Sequence, residues 1–283
     1  MTAASTAARV LFTKVLGPAC VQDLGRPGQL AKGLPHGGTL APSRLRALNR
    51  AVGNAPHAAG LELFGAVTFA VSLPTRVAVD GAPPFLAEPH VPHTVATGGR
   101  RLRVVAFEGG LDVPEVLGGR GLLPSARLGG HDGRWLRAGD AIALGTADEP
   151  VLHHEADLHA HEPLPDAPHT HLAVPLFRGP EVAALASLEP LLEARFRLAA
   201  TSDRTGLRLE GPPLPLAPRP AGTPSLPLLP GAVQVPPNGL PVILGPDHPV
   251  TGGYPVVGVV ARACLEPLFV APLGTAVRFA LTE

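Results

Sequence analysis

Glycine and proline constrain this chain more than any other feature. It carries 33 glycines and 35 prolines among 283 residues, spaced along most of its length. Proline fixes φ and removes a backbone donor, and glycine weakens the interior of helices and strands. Regular elements between them are therefore short. Such a content approaches the disordered range, but the intervening segments are rich in Val and Leu and poor in charge, as short strands separated by turns would be. Hydrophobic residues make up 45% of the chain, enough for a core. The formal net charge is zero, so no broad basic field invites nucleic acid or an anionic membrane. No apolar run approaches a membrane span. Arg9 and Lys14 interrupt the first apolar residues, which argues against a secretory leader. Cys20 and Cys264 form no CxxC pair and read as two reduced thiols of a cytoplasmic protein, with a disulfide as the alternative.

The expected fold class is mostly β, in two β-rich halves with a few short helices. Residues 1–150 form the first half. Strands are expected over 9–15, 67–73, 76–79, 103–107 and 141–144, with residues 61–64 leading into the second; the alternation Val67, Phe69, Val71, Leu73 marks a half-buried strand. The spacing Leu45, Leu48, Val52 predicts a helix over 41–52, capped by Ser43 and ended by Gly53, with Arg44, Arg46 and Arg50 on its solvated face. Glu62 sits between apolar neighbours, either buried with a partner or facing solvent. Residues 151–171 change composition. Histidines 153, 154, 159, 161, 169 and 171 fall among prolines 163, 165 and 168, which reads as an interdomain linker. Histidine is the commonest metal ligand, but a zincin motif needs a histidine at position 158, which is leucine; no metal site is assigned. Residues 172–283 form the second half, with strands over 172–177, 194–199, 207–211, 233–235, 242–244, 256–263 and 276–281. Pro180 opens an expected helix carrying Val182, Leu185 and Leu188 on one face, ended or kinked by Pro190.

Polar groups gather at the loops. Residues 230–255 carry two short strands joined by a Pro236–Gly239 turn, then Asp247, Thr251, Gly252, Gly253 and Tyr254 in one loop. Two glycines beside a carboxylate, a hydroxyl and the chain's single tyrosine allow close approach of a ligand; a plain Gly-rich hairpin is the competing reading. In the loop 21–28, Gln22 and Arg26 either face a ligand or serve the loop itself, with Asp23 capping it or pairing with Arg26. Ser202, Asp203 and Arg204 either brace their own loop or grip an anion. Gly37 and Gly38 are turn-formers or a phosphate cradle, and match no Walker pattern.

Nine segments occur in an order that resembles a known family: residues 21–28, Gly37-Gly38, Val52-Gly53-Asn54, 109–114, 116–118, 136–140, Ser202-Asp203-Arg204, 230–239 and Thr251-Gly252-Gly253-Tyr254-Pro255. The chain resembles the family of the 5-oxoprolinase C subunit, also called biotin-dependent carboxyltransferase or allophanate hydrolase subunit 2. It is similar to half of the carboxyltransferase domain of urea carboxylase. The resemblance implies cyclophilin-like β-barrels and one component of an ATP-dependent 5-oxoprolinase that opens a lactam to glutamate. It implies two partners, a B and an A subunit, with ATP shared with the first. Within that resemblance Asp247 is the expected proton acceptor or orienting carboxylate and Tyr254 a donor or stacking surface. Gln22, Arg26, Asp203, Arg204, Gln234, Thr251, Gly252 and Gly253 are expected substrate contacts. The alternatives are a biotin-dependent carboxyltransferase acting on an amide or urea nitrogen, and a non-catalytic binding or regulatory protein. The chain departs from the family pattern at Thr205, at Pro246, His248, Pro249 and Val250, at Ala41, where an aspartate is usual, and at Glu181.

Overall fold

The computed structural model describes residues 7–146, 171–218 and 224–282. Two compact units emerge: Met1–Arg26 with Gly37–Ala167, and Pro27–His36 with Pro168–Glu283. The second unit thus takes in a stretch, Pro27–His36, that a linear division assigns to the first half. The His- and Pro-rich segment expected as a linker lies outside the described residues, except that His171 opens a strand.

Among the described residues, the first unit holds ten strands: β1 (Arg9–Leu16), β2 (Ala19–Gln22), β3 (Gly60–Leu63), β4 (Ala66–Val71), β5 (Thr75–Val79), β6 (Phe85–Ala87), β7 (His93–Ala96), β8 (Arg103–Phe107), β9 (Leu111–Asp112) and β10 (Ala141–Leu144). They form two five-stranded sheets, ordered β7-β4-β1-β10-β9 and β2-β3-β8-β5-β6. One core joins the sheets: Val10, Phe12, Val67, Phe69 and Ile142 from the first meet Leu61, Leu63, Val77, Val105 and Phe107 from the second. Phe69 and Phe107 meet edge to face with centroids 5.1 Å apart, a favoured aromatic geometry.

Helix α1 (Pro42–Ala51) covers the outer face of the second sheet. Strands β5 and β8 are buried on both sides: their inward positions are Val and Phe, while Ala78 and Ala106 face Leu48, Ala51 and Val52. Small residues there let the helix approach. Two helix expectations are corrected. Ala41 is the N-cap, with no side-chain cap and Pro42 at the first position, so Ser43 does not cap it. Arg44 leaves the solvated face to pair with Asp80 at 2.8 Å, while Arg46 and Arg50 stay exposed.

The second unit holds β11 (His171–Arg178), β12 (Phe196–Leu198), β13 (Gly206–Glu210), β14 (Leu226–Pro227), β15 (Ala232–Gln234), β16 (Val242–Leu244), β17 (Thr251–Gly252), β18 (Val256–Val260) and β19 (Ala276–Leu281). Seven of them close a barrel in the order β11-β18-β15-β16-β13-β12-β19, sealed by the parallel pair β11 and β19. Val174, Leu176, Phe196, Leu207, Val233, Ile243, Val257 and Phe279 are buried. The fold is therefore mostly β with few helices. The helix expected from Pro180 is only a 3-10 turn over Val182–Ala184. Gly179 and Glu181 instead donate their amides to the carbonyls of Val257 and Val256, and the Glu181 carboxylate accepts the Val256 amide. Backbone pairing to β18 outweighs the local helical pattern. Pro190, expected as a terminator, lies inside the first turn of α2 (Glu189–Glu193), where its missing donor costs nothing. Among the described residues no helix is long and apolar enough to cross a membrane.

Glu62 settles on burial: it is fully enclosed on β3, and its Oε2 accepts the Thr39 hydroxyl and the Leu40 amide, each at 2.7 Å. It ties the approach to α1 onto the sheet. Charge-assisted bonds contribute roughly 1.5–3 kcal/mol apiece. Glu62→Ala is expected to destabilise the protein by about 3 kcal/mol, measured by urea unfolding, with Glu62→Gln costing less.

Candidate functional site

Each unit gathers several of the expected polar residues into a cluster. In the first, Gln22 and Arg26 are 1% exposed and turn away from solvent. The Arg26 guanidinium donates to the carbonyls of Val116 (2.9 Å), Gly119 (3.2 Å) and Gly121 (2.7 Å). Gln22 donates from Nε2 to the Leu122 carbonyl at 2.8 Å. Asp23 accepts the amides of Gly25 and Arg120. The stretch expected wholly as a loop thus begins as strand β2, paired with β3, and its side chains hold the segment 116–122. That segment forms part of the wall of a cavity on which Asp23, His57, Asp112, Glu115 and Arg120 also lie. His57, Glu115 and Arg120 are not among the residues that the sequence marks. The nearest signal is the pair of motifs at residues 109–114 and 116–118.

In the second unit, Arg204 and Asp247 form a forked ion pair, Nε to Oδ2 at 2.7 Å and Nη2 to Oδ1 at 3.1 Å, with both residues more than nine-tenths buried. Backbone bonds bring the pair together: the Asp247 amide reaches the Arg204 carbonyl and the Gly245 amide that of Thr205. Both Asp247 oxygens are engaged, which suits an orienting carboxylate better than a free base. Asp203 is used locally, its Oδ1 accepting the amides of Thr205 and Gly206 in an Asx turn. Gln234 donates from Nε2 to the Tyr254 carbonyl at 3.0 Å. Thr251 and Gly252 form β17 and pair with Leu226 and Pro227 of β14. A Cβ on Gly252 would lie 2.7 Å from Leu228 Cδ1 and 2.9 Å from Gln234 Nε2, so this glycine serves packing. A Cβ on Gly253 would meet only Ser225 Oγ, at 3.8 Å. Tyr254 is 49% exposed.

His248, one of the positions where the chain departs from the pattern it resembles, is fully buried beside this pair. Its Nδ1 lies 2.8 Å from the Pro249 carbonyl, so Nδ1 carries the proton and Nε2 the lone pair. Nε2 is buried and has no partner among the described residues. Burial pushes the pKa below the ordinary 6.5, against the opposing pull of the Pro249 carbonyl and the Asp247 charge. A folded value below the unfolded one means that stability is fully present above about pH 6.5 and falls as pH drops through the folded value. Urea midpoints between pH 7.5 and 5 are expected to fall more steeply for the natural chain than for His248→Gln.

Sequence and structural relatives point the same way. The carboxyltransferase domain family model, subdomains A and B, matches residues 32–281. The chain is 30% identical to the C subunit of 5-oxoprolinase from Escherichia coli (strain K12), over 92% of its own length and 86% of the relative's. It is 27% identical to urea amidolyase of Lachancea kluyveri over 92% of its length, spanning 16% of that longer protein. The K. lactis urea amidolyase crystal structure superposes on all of this chain with a TM-score of 0.85 at 22% identity, over 19% of that protein, which speaks for the fold alone.

Proposed function

Because the chain belongs to the carboxyltransferase domain family, subdomains A and B, we propose that it is the C subunit of an ATP-dependent 5-oxoprolinase-type hydrolase. It opens a cyclic amide, 5-oxoproline, to glutamate, together with a B and an A subunit. The observation that carries this reading is the 30% identity to the 5-oxoprolinase C subunit over 92% of the chain. The setting is the cytoplasm, in keeping with two free cysteines.

A lactam substrate needs a donor on its carbonyl oxygen and a group to manage its nitrogen proton. In this reading Tyr254, with its side chain at an exposed position, supplies the donor. Gln234 fixes the Tyr254 backbone, and Thr251 and Gly253 form the adjoining edge. Asp247, locked by Arg204, positions the loop rather than taking the proton. Gln22, Arg26 and Asp203 act through the loops they brace.

ATP activates the amide in this class of reaction. The Gly37-Gly38 loop does not fit as its cradle, because a Cβ on Gly38 would lie 2.7 Å from the Gly25 nitrogen. That glycine is needed for backbone packing, and no step is assigned to ATP on this chain; the partner subunits are its proposed holders.

The likeness to urea amidolyase in sequence and fold supports a second reading, a biotin-dependent carboxyltransferase acting on an amide or urea nitrogen. Reconstitution with the partner subunits separates the two. The first reading expects ATP-dependent release of glutamate from 5-oxoproline without a biotin carrier. Tyr254→Phe and Asp247→Ala are each expected to lower kcat/KM about tenfold, roughly 1.4 kcal/mol. Unchanged turnover in both variants would remove the assigned roles, and dependence on a biotinylated carrier would favour the second reading.

A further inference from the structure

An antiparallel sheet with one face on a core ordinarily turns polar and charged side chains to solvent from the other. The barrel of the second unit does so: Arg197, Arg208, Glu210 and Arg278 are exposed, outward positions of β12, β13 and β19. The sheet β7-β4-β1-β10-β9 of the first unit departs from this rule. Its inner face is the core, while on its outer face Leu11 and Leu16 of β1 are 42% and 53% exposed. The outward positions of β4, β7 and β10 are all alanine or threonine. The one carboxylate on these five strands, Asp112 at the β9 edge, already meets Arg120.

Strand register arranges the outer face in rows. Leu11 stands between Ala70 and Ala141, and Leu16 lies beside Ala66 and then Ala96. Between the two leucine rows is Lys14, opposite Thr68 and then Thr94, whose hydroxyls bond each other at 2.9 Å. A bulge at Thr13 puts Lys14 there; without the extra residue, strict alternation would turn it into the core. Lys14 is exposed, and its ammonium makes no hydrogen bond or ion pair with any described residue. The Arg9 guanidinium, at the end of the same strand, makes none either. The face spans about 19 Å across five strands and about 26 Å along β1, the size of the central part of a standard protein interface. An apolar face around an unpaired ammonium is complementary to a protein surface that is apolar around a carboxylate. A second copy of the chain is a poor occupant, because a two-fold contact would set cations against cations.

We propose that this face is the surface on which the B subunit docks, through an apolar patch that sets a carboxylate against Lys14. Naming the B subunit rests on the hydrolase reading; the face and the chemistry of its occupant rest on β1 and its neighbours. The test is the Kd between the full chain and the B subunit, measured by calorimetry. Lys14→Glu and Leu11→Arg are each expected to weaken the complex at least tenfold. Lys14→Gln is expected to weaken it about threefold and to flatten the rise of Kd with added salt. Both side chains are exposed, and an unchanged thermal midpoint of the free chain verifies the fold of each variant. Arg208→Glu, a charge reversal on the outside of the barrel, is the control and is expected to leave Kd unmoved. A Kd unmoved by both Lys14→Glu and Leu11→Arg would overturn the face and leave the hydrolase reading in place. Complexes weakened as expected, but with no ATP-dependent turnover of 5-oxoproline in any reconstitution, would do the reverse. No complex with the B subunit would overturn the proposal. So would a dimer of the chain that Leu11→Arg splits, or binding to phosphatidylglycerol vesicles that Lys14→Glu abolishes, since these give the face to a second copy or to a lipid surface.

Discussion

A cation buried in backbone organises the first unit. Arg26 is among the largest fully enclosed side chains, and its Nε and Nη2 are spent on the carbonyls of residues 116, 119 and 121. A buried charge is costly unless its donors are met, and a fork of donors can satisfy several carbonyls of an irregular segment that no strand could pair. Gln22 and Asp23 continue the same work at Leu122, Gly25 and Arg120. The position of Arg120 on the cavity wall follows from this clasp, since Asp23 holds its amide in place. Chemistry that looked ready for a ligand in the sequence is thus one layer behind the cavity.

The second unit uses a comparable device with opposite partners. The Arg204–Asp247 fork joins the loop before β13 to the loop after β16, just beyond the paired strand ends Gly206 and Leu244. Breaking one half of such a buried pair leaves the other uncompensated, which commonly costs about 3–5 kcal/mol. His248 stands next in the chain with an unmet ring nitrogen, so a neutral imidazole lies beside an aspartate that is already neutralised. A second guanidinium at that position would need its own counter-charge in a buried setting. The departure from the family pattern is therefore compatible with the pair rather than disruptive of it.

Much of the fold was legible in the chain. Strands β8, β16 and β19 fall on the residues their pattern marks, and β1, β4, β5 and β13 within one or two. Alternation of apolar residues over 67–73 marks a buried face whatever its partner. The errors share a cause. The helix expected from Pro180 lost to hydrogen bonds offered by β18, and the two-residue strands β9, β14 and β17 have no pattern of their own and exist only because a neighbour pairs with them. Among the candidate site residues, Arg204, Asp247, Gln234 and Tyr254 are marked by residue type and by the family resemblance, but type does not say which partner a group has already taken.

Residue order alone determined the class of architecture and the family, because punctuation by glycine and proline limits element length and because short motifs in register survive as local patterns. Tertiary structure decided which polar groups are spent and which remain. Arg26 and Arg120 are both arginines in Gly-rich loops, yet one is enclosed by three carbonyls and the other is partly exposed on a cavity wall. That difference depends on segments some 90 residues apart meeting in space, and no local pattern records which donor reaches a carbonyl first.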